Sequence, residues 1–351
     1  MRGGAARIRF GALALRPGGS GVQTYIRELL NALPAQLPDA ELSAVVQRDA
    51  TGELPSAIAP LPRPVGSGVV RAALGALPVG SCDVFHGLDV DLPVRVSAAT
   101  VATVHDLSVL DMPSASSRFR AFGESLLVRN ALRTADLLVA VSRFTAERIK
   151  AVSGRDAAVV ELAPASWARP PAEEDVTAIR TRYRLPERFV LQVGTVEPRK
   201  NVHLIADAAR QLDIACVLAG AGSTGPDAPP GVLGLGYVDV ADLPALYAAA
   251  TVTTYASHYE GFGLPPVEAM ACGGAVVAGT VGALPDVTGD GAVLVATQRV
   301  DDWVSAMRPV VADPEVRTGL VDRAVQVTRE MTWGRTAERT VAAYRAAGMI
   351  P

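Results

Sequence analysis

The stretch Glu260-Gly-Phe-Gly-Leu-Pro-Pro-Val-Glu268-Ala-Met-Ala-Cys-Gly273 places two carboxylates on either side of a glycine-rich turn. The apolar run Val252–Tyr255 before it predicts a buried strand, and the two prolines after the turn suit the first turn of a helix. Glycine amides and the positive end of a helix favour an anion at such a turn. Glu268 falls about one turn into the helix, within reach of a hydroxyl on the same ligand. The alternative is a helix-opening loop with a solvated glutamate.

The same alternation of strand and helix runs through the whole chain and predicts an α/β protein with parallel sheets covered by helices. The rhythm occurs twice, on either side of the proline-rich segment Ala163-Pro-Ala-Ser-Trp-Ala-Arg-Pro-Pro-Ala172, which we interpret as a linker. We therefore predict two Rossmann-like domains, at residues 1–165 and 173–331, and a terminal helix at 332–351. The predicted strands are Ile8–Leu15, Ala44–Gln47, Val84–His86, Val101–Val104, Leu137–Val141, Val159–Leu162, Phe189–Val193, Ala215–Ala219, Val232–Leu235, Val252–Tyr255, Ala275–Ala278 and Val293–Val295.

Composition narrows the class of protein. The 351 residues exceed what one hydrophobic core serves, and 49% apolar with 20% charged residues are typical of a globular protein. A net charge of −3 argues against a nucleic-acid polymer as the main partner. The three cysteines lack metal-ligand spacing and cannot all pair, which favours a reducing cytoplasm. No stretch reaches the ~20 uncharged apolar residues of a membrane span.

One predicted helix, residues 117–133, mixes four arginines with Phe119, Phe122 and Leu126. This pattern fits either a helix that lies on a membrane surface or an ordinary packed helix. Glu124 and the modest charge density favour the packed helix. Peripheral membrane contact is therefore not our preferred reading, and the oligomeric state stays open.

In open parallel sheets, ligands bind beyond the carboxyl ends of the strands. Three further segments follow predicted strands in this way: Gly18-Gly-Ser-Gly21, His105-Asp106 and Arg199-Lys200. A glycine turn before a helix suits phosphate, a histidine suits a hydroxyl or a reacting centre, and paired cations suit a diphosphate. Lys200 is one of only two lysines in a chain that otherwise uses arginine. The alternatives are a tight turn, a structural histidine and a solvated pair of cations.

Taken together, these segments resemble the retaining family 4 glycosyltransferases, which have the two-domain GT-B fold. The Glu260–Glu268 segment resembles the family's Glu-x7-Glu signature, and Val193-Gly-Thr-Val-Glu-Pro-Arg-Lys-Asn201 resembles its diphosphate-gripping loop. The family's sequence pattern is also matched by two earlier segments, Val104-His-Asp-Leu107 and Ser142-Arg-Phe-Thr-Ala-Glu147. The resemblance therefore spans nearly the whole chain, with the motifs in the right order. It implies two domains facing across a cleft, with the terminal helix crossing back to the first.

The resemblance also implies roles for individual residues. Glu260 would contact the transferred sugar, Arg199 and Lys200 would stabilise the leaving diphosphate, and His105 would lie at the reacting centre. Donor-binding residues would be Gly19, Gly21, Gly194, Arg199, Lys200, Gly261, Phe262, Gly263, Leu264 and Glu268, with Tyr237 and Val238 near the base. His86 and Asp106 are weaker acceptor candidates. Many relatives carry an arginine directly after the strand glycine, where this chain has Thr195, so the diphosphate grip depends more on Arg199 and Lys200.

The implied activity is transfer of a sugar, with retention, from a nucleoside diphosphate sugar to a hydroxyl of a glycan, a lipid-linked sugar or a small natural product. The motif variants favour GDP-mannose over UDP and dTDP sugars. We expect no metal and no cofactor, because the Asp89-Val-Asp91 pair has a spacing common by chance and the four histidines lack zinc spacing. The alternatives are a sugar-nucleotide epimerase of the same fold and a non-catalytic sugar-nucleotide binding protein. Whether Glu260 acts as a nucleophile stays open.

Overall fold

The computed structural model describes residues 5–18, 21–112 and 118–351. It divides into two compact units: unit 1 is Met1–Leu162 with Thr332–Pro351, and unit 2 is Ala163–Met331. The proline-rich segment that we interpreted as a linker belongs to unit 2, where Trp167 and Ala168 pack against the core.

Within the described residues, unit 1 is built on a parallel sheet with the strand order β3-β2-β1-β4-β5-β6-β7. Each strand that follows a helix returns to the same sheet, as the alternating pattern predicted. The strands are β1 Arg7–Gly11, β2 Glu41–Gln47, β3 Ala59–Arg63, β4 Val84–Gly87, β5 Ala99–Val104, β6 Leu137–Ala140 and β7 Ala158–Val159.

Within unit 1, the helices Gly21–Gln36, Arg118–Thr134 and Arg143–Ser153 bury apolar side chains, whereas the described helices Gly68–Ala76 and Ser108–Asp111 have no buried residue. In the helix Arg118–Thr134, Val128, Ala131 and Leu132 are buried, whereas Phe122 and Leu126, two residues of the membrane-surface alternative, are exposed. The helices are α1 Gly21–Gln36, α2 Gly68–Ala76, α3 Ser108–Asp111, α4 Arg118–Thr134 and α5 Arg143–Ser153.

Unit 2 repeats the plan with the strand order β10-β9-β8-β11-β12-β13. Its strands are β8 Phe189–Val193, β9 Ala215–Ala219, β10 Leu233–Gly234, β11 Val252–Tyr255, β12 Val276–Gly279 and β13 Ala292–Val295. Its helices are α6 Glu173–Arg182, α7 Val202–Gln211, α8 Leu243–Ala249, α9 Leu264–Ala271, α10 Leu284–Thr288, α11 Val300–Ala312 and α12 Pro314–Arg329. Both sheets are parallel throughout, so the predicted fold class is confirmed.

Strand ends account for most differences from the prediction. β1 stops at Gly11 rather than Leu15, and the last strand of unit 1 is only Ala158–Val159. The sequence pattern missed β3 altogether, because Pro60 and Pro62 argue against a strand. The structure resolves this conflict by placing β3 at the edge of the sheet, where one side of the strand needs no partner.

A buried network attaches the terminal helix α13, Trp333–Ala346, to the sheet of unit 1. The hydroxyl of Tyr344 lies 2.6 Å from Nδ1 of His86, and Nε2 of His86 lies 2.8 Å from the hydroxyl of Thr103. All three side chains are inaccessible to solvent. Burial lowers the pKa of His86 to about 3, so the ring is neutral. The network thus depends on a neutral histidine in the core.

We expect Tyr344→Phe to lower the free energy of unfolding by about 1–3 kcal/mol, because Nδ1 of His86 then lacks its partner in the core. Urea unfolding near neutral pH measures the change. Tyr237→Phe removes a hydroxyl from an exposed ring and should change stability by less than about 0.5 kcal/mol. Equal effects of the two variants would contradict a structural role for the Tyr344 hydroxyl.

Candidate active site

An ion pair joins two neighbouring strand ends of unit 2. Lys200 closes the short 3₁₀ turn Pro198–Lys200 that follows β8, and Glu260 lies in the turn between β11 and α9. The Lys200 ammonium lies 2.5 Å from Oε1 of Glu260. Both side chains are nearly buried, at 12% and 9% exposure. Two residues that are distant in sequence thus meet because β8 and β11 pair in the sheet.

Arg199 ties the same two loops together through its backbone and its side chain. Its carbonyl accepts a hydrogen bond from the backbone N–H of His258, and its guanidinium donates to the carbonyl of Tyr259, each at 2.8 Å. The guanidinium also lies 2.8 Å from Glu197 and 3.7 Å from Oε2 of Glu260. Glu197 lies inside the quoted motif, but the sequence alone assigned it no role. The two cations and two carboxylates therefore form one connected cluster.

The charge state of Glu260 follows from this cluster. Burial raises the pKa of its carboxyl, but Lys200 and Arg199 outweigh burial and leave the pKa below its usual value. Ser257, whose buried hydroxyl makes no well-aligned hydrogen bond among the described residues, lowers the pKa further. Glu260 is therefore ionised at neutral pH, and its ionisation depends on the two cations beside it.

The turn after Glu260 has a backbone that only glycine accommodates easily. Gly263 has φ 98°, and a Cβ there would lie 2.4 Å from the side chain of Leu284. Phe262 and Leu264 are buried, so they can offer a ligand only backbone groups, as predicted for them and for Gly261. Gly263 immediately precedes α9, and Pro265 and Pro266 lie in its first turn. The turn is therefore a preformed set of amides at the start of a helix.

A loop after β12, which our sequence interpretation overlooked, supports Glu260 from behind. Gly282 has φ 56°, and a Cβ there would lie 2.0 Å from the Glu260 carbonyl oxygen. The next residue, Ala283, donates its N–H to that carbonyl at 3.0 Å. The signal in the sequence was the Gly-Ala-Leu-Pro run that opens α10. This contact fixes the backbone from which Glu260 projects.

Glu268 lies inside α9, as the sequence predicted, and its side chain is 7% exposed. The negative charge of Glu268 acts on two buried phenols, those of Tyr247 and Tyr255. Their hydroxyls are 3.5 Å apart. Burial is the main cause that raises the pKa of both phenols, and Glu268 adds to the increase. Both phenols therefore stay neutral beneath the helix.

The segment predicted to contact the nucleotide base, residues 236–238, follows β10. The carbonyl of Gly236 accepts from Gly220 at 2.7 Å, and its N–H donates to the buried hydroxyl of Ser223 at 2.9 Å. Tyr237 then exposes 64% of its surface, while the side chain of Val238 is buried. Of the two, only Tyr237 has a side chain available to a ligand. Gly194, directly after β8, has φ 138° and faces open space.

The remaining candidates belong to unit 1. Gly21 is the first residue of α1, and Gly19 lies outside the described residues. Nε2 of His105 donates to the carbonyl of Leu88 at 2.9 Å, so this nitrogen carries the ring hydrogen. Its ring also packs edge-on against Tyr25. Within the described residues, Nδ1 has no hydrogen-bond partner, which leaves it as an acceptor.

The structure bears differently on the two acceptor candidates. Oδ1 of Asp106 accepts from the N–H and hydroxyl of Ser108 at 2.9 and 2.7 Å, and the role of Asp106 toward an acceptor stays a prediction. His86 is fully buried, and both of its ring nitrogens are engaged in the Tyr344 network. A residue with no exposed surface cannot contact an acceptor, so we correct its assignment to a structural one.

The Asp89-Val-Asp91 pair binds an arginine in this structure. Arg71 lies 3.3 Å from Asp89 and 3.0 Å from Asp91. Burial raises the pKa of Asp91 to about 6, although Arg71 opposes the increase. Across residues 5–18, 21–112 and 118–351, no group of three His, Cys, Asp or Glu side chains has a geometry suited to a metal ion. In the same part of the chain, no helix combines the length and apolarity that crossing a membrane requires.

Comparisons with known proteins place this site in a family. The family described as glycosyl transferases group 1 matches residues 176–327, which carry Arg199, Lys200, Glu260 and Glu268. A D-inositol 3-phosphate glycosyltransferase of Kineococcus radiotolerans is 30% identical over 297 residues, covering 73% of this chain and 67% of the relative. The chain belongs to the group 1 glycosyltransferases. Another relative of this glycosyltransferase is the O-antigen chain mannosyltransferase B of Escherichia coli, 29% identical over 75% of this chain and 74% of its own.

Solved structures support the fold of this group 1 glycosyltransferase. Sucrose-phosphate synthase from Thermosynechococcus elongatus superposes with a TM-score of 0.79 at 20% identity, covering 97% of this chain and 98% of the other. Anabaena HepE in complex with UDP-glucose gives 0.76 at 18% identity, covering 97% and 99%. The two Rossmann-like units are therefore those of the GT-B fold, and the resemblance noted in the sequence is confirmed.

We expect Lys200→Met to lower the free energy of unfolding by about 3 kcal/mol at neutral pH, because it leaves Glu260 as a buried charge without its closest partner. In the wild type, Glu260 has a folded-state pKa below its unfolded one, so its stabilising contribution is lost as the pH falls through the folded pKa. The difference between variant and wild type should accordingly shrink in acid, where Glu260 is protonated in both. Urea unfolding as a function of pH measures it.

The other lysine of the chain provides the matched control. Lys150 pairs with Asp156 at the surface and is 54% exposed, so Lys150→Met should cost less than about 1 kcal/mol. A Lys200→Met variant that is as stable as Lys150→Met would show that the buried ion pair is not needed to hold Glu260.

Proposed function

We propose that this group 1 glycosyltransferase transfers a sugar, with retention of the anomeric configuration and without a metal ion, from a nucleoside diphosphate sugar to an acceptor hydroxyl. The cluster of Lys200, Arg199 and Glu260 at two adjacent strand ends is the observation that carries the proposal. It combines cations for a diphosphate with a carboxylate for a sugar, in the part of the chain that matches the family.

The cations would act on the leaving group. As the bond between the sugar and the phosphate breaks, negative charge grows on the diphosphate, and preorganised cations and amides lower the energy of that state. Arg199 is held by the Tyr259 carbonyl and Lys200 by Glu260, so both cations lie at the strand ends before a donor binds. The amides from Gly261 to Leu264 and the start of α9 add to the positive potential. These groups take the role that a divalent cation has in other enzymes, which supports metal independence.

The other residues of unit 2 would fix the donor on either side of the diphosphate. Glu260 would contact hydroxyls of the transferred sugar, and Glu268, one turn into α9, would contact the ribose. Gly194 leaves room for the phosphates, and the exposed ring of Tyr237 offers a surface on which a base can stack.

In unit 1, His105 is the candidate for contact with the reacting sugar. Its Nε2–H is engaged by the Leu88 carbonyl, which leaves Nδ1 to accept a hydrogen bond from a hydroxyl. Helix α1 begins at Gly21 and would supply a second helix start for the donor or the acceptor. The acceptor would be a hydroxyl of a glycan, a lipid-linked sugar or a small natural product.

GDP-mannose is our first choice of donor, since the motif variants favour it and the Escherichia coli relative is a mannosyltransferase. UDP-glucose is the main competitor, because it is bound in the similar Anabaena structure. We place the activity in the cytoplasm, a location supported by three cysteines that are all free and buried.

A thermal-shift screen of nucleoside diphosphates tests the donor class, because a ligand that binds only the folded state raises the melting temperature. GDP should give the largest shift. Candidate acceptors are then added with the matching sugar nucleotide, and release of nucleoside diphosphate is measured. Release that depends on the acceptor supports a transferase. Interconversion of the sugar nucleotide without an acceptor would instead identify an epimerase, and no binding at all would overturn the proposal.

We expect Glu260→Gln to lower kcat/KM by about 100-fold or more, because it removes the carboxyl contact at the reacting sugar. Glu187→Gln makes the same substitution at an exposed site of unit 2 and should leave turnover unchanged. Steady-state kinetics with the identified donor measures both. Full activity of Glu260→Gln would remove Glu260 from the catalytic machinery and favour a different role for the site.

A further inference from the structure

The cations of the candidate donor site are already paired with carboxylates of the chain itself. Lys200 contacts Glu260 at 2.5 Å, and Arg199 contacts Glu197 at 2.8 Å and Glu260 at 3.7 Å. Two positive and two negative charges thus balance before any donor arrives. A diphosphate that binds here brings two further negative charges and needs the same N–H groups.

The two carboxylates differ in their access to solvent. The side chain of Glu260 is 9% exposed, whereas that of Glu197 is 38% exposed and in contact with solvent. A carboxylate inside a protein stays ionised only if nearby cations or hydrogen bonds compensate for the lost hydration. Glu260 is therefore the carboxylate that responds to a change in its partners.

The groups that act on the charge of Glu260 come from the elements packed around it. The loop of Pro198–Lys200 contributes the two cations, the turn of Glu260 itself contributes the hydroxyl of Ser257, and β11 contributes the neutral phenol of Tyr255. Behind Glu260, the 279–283 loop contributes backbone, with Ala283 bonded to the Glu260 carbonyl. Among the described residues, the cations that stabilise the charge of Glu260 are Lys200 and Arg199. Both are the cations that a diphosphate would engage.

We propose that binding of the nucleoside diphosphate sugar is coupled to the uptake of one proton from solvent by Glu260, which becomes a neutral carboxylic acid in the complex. The proposal rests on the donor class given above. In the free enzyme, the cations keep the carboxylate ionised; in the complex, they face the diphosphate, whose charge also disfavours a second anion nearby. A neutral Glu260 donates a hydrogen bond to the donor and is no longer a nucleophile.

Proton uptake predicts the direction in which the dissociation constant of the donor changes with pH. Because the complex holds one more proton than the separate partners, the dissociation constant should rise with pH, by up to about tenfold per pH unit, between the Glu260 pKa of the free enzyme and that of the complex. The test uses intact GDP-mannose and UDP-glucose as probes. Each phosphorus of such a donor has one ester linkage, one anhydride linkage and a single acidic oxygen. That oxygen is fully ionised near neutral pH, so the donor itself takes up no proton there. Isothermal titration calorimetry of the full chain in buffers of different ionisation enthalpy then counts the protons directly.

Two matched variants identify the group that takes up the proton. Glu260→Gln should bind donor with no proton exchange and with a dissociation constant that no longer depends on pH. Glu197→Gln removes the other carboxylate beside Arg199 and should retain the uptake of the wild type. Uptake that persists in Glu260→Gln, or disappears in Glu197→Gln, would overturn the assignment to Glu260.

A measurement on the wild type keeps the test independent of the folding of either variant. An infrared difference spectrum, donor-bound minus free, should lose a carboxylate band and gain the carbonyl band of a protonated carboxyl. Donor binding without proton uptake and without that band would refute the coupling and leave the proposed function standing. Failure of every sugar nucleotide to bind would refute the proposed function, and the coupling with it.

Discussion

The buried ion pair between Lys200 and Glu260 is the interaction around which unit 2 is arranged at its strand ends. Removing two charges from water costs more than their attraction returns unless the geometry and the surrounding hydrogen bonds are good. Here the loops supply those bonds: the Arg199 backbone receives an N–H from His258, the Lys200 carbonyl receives one from Gln192, and the Glu260 carbonyl receives one from Ala283. The pair is thus a constraint on loop geometry more than a source of stability.

That constraint explains why neutral and charged groups are distributed as they are. Behind the site, the phenols of Tyr247 and Tyr255 are buried and uncharged. The turn 261–264 beside Glu260 leads into the start of α9. A ligand with its own negative charge must therefore compete with Glu197 and Glu260 for Lys200 and Arg199.

The sequence was sufficient for the fold class, for β8, β9 and β11 to the residue, and for the positions of Arg199, Lys200, Glu260 and Glu268 after their strands. These predictions follow from the spacing of apolar residues, from the residue types at turns and from the order of strands along the chain. All three can be read from residues that are close in sequence. It was not sufficient for β3, where edge position overrides the prolines, or for His86, whose burial depends on a tyrosine from the other end of the chain. It also overlooked Glu197, Ser257 and Gly282, because their roles come from contacts between loops.

The hydrogen bond between His86 and Tyr344 spans 258 positions of sequence. Unit 1 includes α13, so its last element is synthesised only after the whole of unit 2. During translation, unit 2 has all of its strands while unit 1 still has an uncovered surface along α1 and an unpaired histidine in its core. Synthesis of unit 1 therefore begins first, but its native packing is completed last, after that of unit 2.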